Sequence, residues 1–213
     1  MTRQDRELDP TLHSGLRGSL WFNKRANMQA EVTKKLFTVD EYYRMLDAGI
    51  FTEDDRVELI EGEIIQMSPI GKRHASCVDR ANDLFTSAFR GKAIVSVQNP
   101  LRLNKYNEPL PDIVIVKWRP DFYASQSKTP EDTFFVLEVS DTTLRYDTKV
   151  KLPIYARTRV PEVWIENLTE DMLLVSRDPV GDKYNTQWTL HRGEQISPLA
   201  FPGINFTVEQ LLG

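Results

Sequence analysis

Two segments of this chain are almost wholly apolar, and each carries an acidic residue within its apolar run. The segments are LPDIVIVK, residues 110–117, and FFVLEVSD, residues 134–141. Their Val, Ile and Phe residues show little alternation with polar residues, as expected of central strands that are covered on both faces. Helices on both faces of a sheet are the arrangement of the α/β class. The sequence therefore predicts an α/β core with these two strands near its centre.

The remaining patterns supply further helices and strands around that pair. Thr38 and Glu41 have the spacing of a capping box, which predicts a helix that ends at Gly49. The other predicted elements, in chain order, are a β-hairpin over 56–67 that turns at Glu61 and Gly62, a helix over 74–90, a strand over 94–103, a helix over 146–157, a strand over 162–168, a hairpin over 172–190 and a short helix over 208–212. This order implies a mixed β-sheet core flanked by helices, with an added N-terminal β-hairpin.

The length of 213 residues fits one folded domain with an appendage. Residues 1–27 mix charges with Gly, Pro and Ser and show no helical or strand period, so we expect a mobile leader there. Met28 is then an alternative start to Met1. The folded domain is expected over residues 37–212.

Composition limits the location and the partners of the chain. No run of 18 apolar residues and no signal-peptide core occurs, so we expect a cytoplasmic protein without a membrane segment. A lone cysteine, Cys77, cannot form an internal disulfide and is expected in the core. The net charge of -4 argues against a broad basic surface for stable nucleic-acid binding. It does not exclude an enzyme that acts on nucleic acid through a metal ion.

Asp112 and Glu138 are the acidic residues within the two apolar strands. A buried carboxylate costs several kcal/mol unless a cation, a hydrogen bond or a proton compensates it. If the strands are neighbours, both carboxylates can converge on one Mg²⁺, which is commonly bound by one or two carboxylates plus waters and phosphate oxygens. The alternative is that each acid sits at a strand end and faces solvent.

The wider pattern resembles a known family. The resemblance rests on VELIEGEIIQMSP, a following His74, the LPDIVIV strand, and the stretch FFVLEVSDTTLRYDTKVKLPIYARTRVPEVWIENL. The chain is similar, over about 37–212, to the bacterial family of "putative restriction endonucleases" once catalogued as domain of unknown function 820, a branch of the PD-(D/E)xK nuclease superfamily. The resemblance implies a restriction-endonuclease-like fold and metal-dependent phosphodiester hydrolysis.

One position departs from the superfamily pattern. Ser140 stands two residues after Glu138, where the superfamily has a lysine. In this branch the lysine is expected on the following helix, and Lys151 matches it, four residues after Asp147 and four before Tyr155. These positions share one helix face. The alternative is that Lys151, like Lys149, is a solvated surface charge.

Glu58, Glu63 and His74 form a second group of candidates. A two-residue turn places Glu58 and Glu63 on one face of the hairpin as diagonal neighbours. The family resemblance implies Glu58 as an additional metal ligand, while exposed hairpin glutamates need no function. His74 begins the apolar stripe of its helix, where it is a ligand, a proton carrier or a hydrogen-bonded capping residue.

The sequence thus predicts a DNA phosphodiesterase dependent on Mg²⁺ or Mn²⁺. Asp112 and Glu138 would hold the metal, the Val139 carbonyl would complete its shell, and Lys151 would position the attacking water. Cutting both strands of DNA calls for two active sites, so a homodimer is favoured by analogy. The alternative is a catalytically silent interaction module that keeps the nuclease fold, and Ser140 and the acidic net charge favour it.

Overall fold

A computed structural model describes residues 33–52 and 54–213, so the expected leader over 1–27 lies outside the described residues. The helices are α1 (Val39–Asp47), α2 (Lys72–Phe89), α3 (Leu144–Tyr146), α4 (Leu152–Arg157) and α5 (Val208–Leu212), with a π-helical turn at Asp147–Lys151 and a 3₁₀ turn at Pro130–Asp132. The strands are β1 (Val57–Ile60), β2 (Glu63–Gln66), β3 (Ala93–Val97), β4 (Ile113–Lys117), β5 (Thr133–Ser140), β6 (Glu162–Asn167), β7 (Met172–Val180), β8 (Lys183–Leu190), β9 (Gln195–Ile196) and β10 (Phe206–Thr207).

The central sheet is mixed, as predicted. Six strands pair in the order β3-β4-β5-β6-β7-β8. Strands β5 and β6 are parallel, and every other neighbouring pair in this sheet is antiparallel. The helical stretch 144–157 connects β5 to β6, as a parallel pair requires a crossover connection. The start of β4 and the end of β5 consequently meet at one edge of the sheet.

Both faces of the sheet are covered, which explains the unbroken apolar strands. On one face, helices α2 and α5 pack over a cluster that includes Phe85, Phe135 and Trp164, all with no exposed surface. On the other face, Val114 and Val136 pack against Ile154 of α4. The prediction of central strands buried on both sides is therefore confirmed.

The N-terminal hairpin has the predicted register, with Glu58 opposite Ile65 and Ile60 opposite Glu63. Its turn needs a positive φ at both central residues, and Glu61 and Gly62 have φ of 51° and 76°. Glutamate is not favoured in that conformation. The turn is supported from outside the hairpin, because the backbone N–H of Glu61 donates to Asn107 Oδ1 at 2.8 Å.

The predicted strand over 94–103 is too long. Strand β3 ends at Val97, and Gln98 takes a left-handed conformation with φ of 48°. Its backbone N–H donates to the Asp112 carbonyl at 3.0 Å, and its side chain turns to the Asp112 carboxylate. The strand predicted over 110–117 likewise begins only at Ile113. Both strands are therefore shorter than predicted at the same end of the sheet, where Gln98 contacts Asp112 outside the regular strand pairing.

The helix predicted over 146–157 begins at Leu144 and is not a regular α-helix. Residues 147–151 form a π-helical turn, and α4 follows with Pro153 in its first turn. Proline lacks the N–H that an α-helical bond to the preceding turn requires, and its ring crowds that turn. A wider turn before Pro153 relieves this crowding. The departure from a regular helix thus takes the form of a π-turn just before Pro153.

Helix α2 is the longest helix in the described part of the chain, with 18 residues. It buries Cys77 in the core, as expected, while Asp79 and Asp83 face solvent. Across the described ranges, no helix combines the length and the apolar character needed to cross a membrane.

Candidate active site

A cavity of about 770 Å³ lies at the edge where β4 begins and β5 ends. Asp112 stands one residue before β4, and Glu138 lies near the end of β5. Because the strands are antiparallel neighbours, with Ile113 opposite Leu137, the two carboxylates are brought to the same place. The hairpin, the start of α2 and the helical stretch after β5 form the walls.

Asp112 is held by donors from three different segments. Its Oδ1 lies 2.9 Å from His74 Nε2 and accepts from Gln98 Nε2 at 3.2 Å, while its Oδ2 accepts from the Val139 backbone N–H at 2.9 Å. Burial acts to raise the pKa of the Asp112 carboxyl, but these donors together hold it below its ordinary value. Asp112 is therefore an ionised carboxylate in a fixed orientation.

Glu138 is more buried than Asp112 and less well compensated. Its Oε1 accepts from the Tyr155 hydroxyl at 2.6 Å and from Lys151 Nζ at 3.3 Å, and its Oε2 lies 3.4 Å from the Asp112 backbone N–H. Burial raises the pKa of Glu138 to about 8, helped by the charges of Asp147 and Asp112 and opposed by Lys151. In the metal-free fold Glu138 therefore keeps its proton to a higher pH than Asp112 does.

Lys151 lies between two carboxylates. Its Nζ is 3.3 Å from Glu58 Oε2 and 3.3 Å from Glu138 Oε1, and its side chain is almost fully buried. Burial favours the neutral amine, but the two carboxylates more than offset this and raise the pKa of Lys151 above its ordinary value. Lys151 is therefore a permanent cation, not a solvated surface charge.

Glu58 enters the site from the hairpin. Besides Lys151, its carboxylate accepts from the Leu110 backbone N–H at 3.2 Å and from the Tyr146 hydroxyl at 3.2 Å. Sequence reasoning missed Tyr146, because an α-helical period places it off the face that carries Lys151. The proline at 153 was the available signal, since a π-turn aligns residues five apart, as Tyr146 and Lys151 are.

Ser140, at the position where the superfamily pattern has a lysine, bonds to Asp147. It has no exposed surface, and its hydroxyl donates to Asp147 Oδ2 at 2.6 Å. Thr143 donates to the same oxygen at 2.7 Å. Burial raises the pKa of Asp147 above its ordinary value, while Lys151 and these hydroxyls oppose the rise. Ser140 therefore fixes the start of the helical segment that carries Lys151.

Of the other two candidates in the second group, His74 lies in the site and Glu63 does not. His74 reaches the Asp112 carboxylate and does not cap its helix, whose N-cap residue is Gly71 and has no side-chain cap. The hydrogen bond to Asp112 raises the pKa of His74 above its ordinary value. Glu63 is exposed and lines a neighbouring cavity of about 640 Å³. Of the predicted pair, the hairpin brings Glu58 but not Glu63 to the site.

The donor set suits a hard divalent cation with few protein ligands. Asp112 Oδ2 and Glu138 Oε2 each have one backbone N–H nearby, and a carboxylate oxygen can accept more than one bond. The Val139 residue lines the same cavity. Within 33–52 and 54–213, no group of three or more His, Cys, Asp or Glu side chains could hold a metal. Mg²⁺ does not require one, since it is often bound by one or two carboxylates plus waters.

The mixed sheet, its single parallel crossover and the acidic edge define a restriction-endonuclease-like protein. The chain belongs to the Uma2 family, described as "Putative restriction endonuclease", whose model matches residues 39–209. A similar solved structure is a "putative nuclease belonging to DUF820" from Anabaena variabilis, with a TM-score of 0.67 and 14% identity, covering 83% of this chain and 97% of the other. At that identity the likeness shows the fold. No curated protein sequence matches the chain significantly.

Proposed function

We propose that this protein is a DNA endonuclease that depends on Mg²⁺ or Mn²⁺ and acts at the Asp112 edge of the sheet. The observation that carries the proposal is the placement of Lys151, which reaches Glu138 from the helix and compensates for the serine at position 140. A carboxylate pair beside a buried cation is the arrangement that phosphodiester hydrolysis calls for. Membership of the nuclease family supports the same reaction.

Asp112 and Glu138 would hold the metal through their less occupied oxygens, Oδ2 and Oε2, with the Val139 carbonyl as a third ligand. Glu58, which the family resemblance implied as an additional ligand, pairs with Lys151 and would position that lysine instead. A bound Mg²⁺ or Mn²⁺ would supply Lewis acidity at a phosphoryl oxygen and a water of lowered pKa.

The protein groups around the carboxylates orient them. His74 and Gln98 fix Oδ1 of Asp112 and leave Oδ2 directed towards Val139. The Tyr155 hydroxyl fixes Oε1 of Glu138. Lys151 would stabilise negative charge that develops at the phosphate during water attack, the role that the superfamily gives to its strand lysine.

A second candidate is the catalytically silent module. It is favoured by the pairing of Lys151 with both Glu58 and Glu138, which already neutralises the lysine charge without a metal. If these residues serve only to stabilise the fold, the ion pairs of Lys151 are sufficient and no metal ion is needed.

Titration calorimetry with Mn²⁺ separates the two candidates. The proposed enzyme binds the ion, and Asp112→Asn weakens binding because one full negative charge leaves the site. Asp79→Asn is the matched control, since Asp79 is exposed on α2. Absence of Mn²⁺ binding, or equal binding by the Asp112 variant, would overturn the proposed metal site and favour the silent module.

A further inference from the structure

The candidate catalytic side chains are deep in their cavity. The exposed fractions are 2% for Glu58, 7% for Asp112, 3% for Glu138 and 5% for Lys151. In a paired duplex the phosphates lie on the outside of a wide, stiff double helix. A scissile phosphate has to enter the cavity to reach the carboxylates, and a flexible unpaired strand can do so with less distortion than a stiff duplex.

The mouth of the cavity has a different chemistry from its floor. Three cations among its described lining residues are not buried: Arg56, Arg145 and Lys149. Within the described ranges, Arg145 and Lys149 form no ion pair with an acidic side chain. They are available for phosphates that flank the one at the floor.

Apolar and aromatic side chains that are not buried line the same cavity. They include Met67, Pro69, Ile70, Val150 and Tyr146, and Ile70 is 40% exposed. Surfaces that combine cations with apolar or aromatic side chains suit a strand whose bases are unpaired, because each base can pack its flat face against the protein. A paired duplex keeps those faces inside its own stack.

The number of cations at the cavity mouth also favours an unpaired strand over a duplex. A protein that makes about 6–10 phosphate contacts with duplex DNA needs a matching number of accessible Lys and Arg side chains. This chain has a net charge of -4, and its cavity mouth offers the three cations named above. That number suits a short stretch of a single strand.

We propose that the site acts on single-stranded DNA, or on the unpaired part of a partly paired molecule. This rests on the proposed nuclease function and specifies its substrate. It also removes the reason to expect a homodimer, because cleavage of one strand needs one active site.

The test compares one labelled DNA sequence as a single strand, as a full duplex, and as a duplex with a central unpaired bubble. Single-turnover cleavage is measured with Mn²⁺, and binding is measured by fluorescence anisotropy in EDTA. The single strand should be cut roughly 10- to 100-fold faster than the duplex, because unpairing a base is energetically uphill. Cuts in the third substrate should fall within the bubble.

The salt dependence of DNA affinity tests whether the cations at the cavity mouth contact phosphates. Three phosphate contacts on a single strand give a slope of log affinity against log salt of about -2. The double variant Arg145→Ala/Lys149→Ala should bring the slope to about -0.7, one contact. Lys92→Ala/Lys183→Ala is the control, since both lysines are exposed and lie outside the cavity lining. It should leave the slope unchanged.

The outcomes separate the substrate from the function. A duplex cut as fast as the single strand overturns the substrate proposal and leaves the nuclease function standing. If no DNA is cut in any form, the nuclease function fails, and binding then decides which form of DNA the cavity takes. Preferential binding of the single strand would support the single-strand proposal, and equal or tighter binding of the duplex would overturn it.

Discussion

Lys151 Nζ and Glu138 Oε1 lie 3.3 Å apart, although the lysine belongs to the helical stretch and the glutamate to the strand before it. Both side chains are almost fully buried. A lysine two residues after Glu138 would have reached the site directly from β5. Here the π-helical turn brings a cation to Glu138 from the other wall, so the site holds a buried positive charge although position 140 is a serine.

Replacing this cation tests its proposed role. Lys151→Met keeps the apolar stem and removes the charge, so kcat should fall by roughly 10²- to 10³-fold, as when one electrostatic donor is lost. Affinity for Mn²⁺ should change little. Lys92→Met is the control and should leave kcat unchanged, because Lys92 is exposed and lies outside the cavity lining.

Stability must be checked in the same experiment, since Lys151→Met leaves two carboxylates without their cation. The double variant Lys151→Met/Glu58→Gln restores the charge balance and should recover folding without recovering kcat. Unchanged single-turnover cleavage by a folded Lys151 variant would exclude the lysine mechanism.

A second prediction concerns Glu138 and pH. The pKa of Glu138 is raised from 4.5 to about 8 in the metal-free fold, so the folded state holds its proton more tightly than the unfolded state does. This group therefore makes the metal-free protein less stable as pH rises from about 5 to about 8. Glu138→Gln should be as stable as the unchanged protein or more so, with a flatter dependence on pH.

Thermal unfolding between pH 5 and 8 in EDTA measures this effect, at roughly 2–4 °C per kcal/mol for a chain of this size. Glu131→Gln is the control, because Glu131 is exposed. Strong destabilisation by Glu138→Gln at pH 8 would instead make Glu138 a structural ion-pair partner of Lys151.

The sequence predicted the parts of the site that follow from regular periods. The two apolar strands were predicted as central, and their pairing in the structure brings Asp112 and Glu138 together. The hairpin register was predicted correctly, but of its two glutamates only Glu58 lines the site. Gln98 and Tyr146 could not be found in this way. Gln98 reaches Asp112 because its backbone is left-handed just after β3. Tyr146 reaches Glu58 from the residue before a π-turn. Neither position follows a strand or helix period.

A third prediction concerns Glu166 in β6. Its side chain has no exposed surface, and neither carboxylate oxygen has a hydrogen-bond partner among the described residues. Burial, and then the charge of Asp112, raise the pKa of Glu166 well above its ordinary value, so it is a neutral acid. Glu166→Met should raise the free energy of unfolding by about 1–3 kcal/mol, because an unsatisfied buried polar group is removed.

Chemical denaturation measures the change, and Glu162→Met is the matched control on the same strand. Glu162 is equally buried, but it accepts from Trp164 Nε1, Arg177 Nε and the Leu199 N–H, each at 2.7 Å. That variant should be clearly less stable. An equal loss in both variants would show that Glu166 also has a partner.

A fourth prediction concerns the hairpin turn that positions Glu58. Gly62 has φ of 76°, and an added Cβ would lie 2.7 Å from Leu36 Cβ. Gly62→Ala should destabilise the protein by about 1–3 kcal/mol through backbone strain and this clash. Gly181 has φ of 60°, but an added Cβ there would meet open space. Gly181→Ala should therefore lower the free energy of unfolding by less than Gly62→Ala does. Equal losses in denaturant midpoints would show that Leu36 moves aside freely.

The central claim is that Asp112 and Glu138 form a metal-dependent hydrolytic site. Single-turnover cleavage of labelled single-stranded DNA, with and without Mn²⁺, tests it most directly for the unchanged protein and for Asp112→Asn. We predict product from the unchanged protein only when Mn²⁺ is present, and none from the Asp112 variant. Cleavage by Asp112→Asn at the unchanged rate, or no cleavage by the unchanged protein with Mn²⁺, would contradict the account.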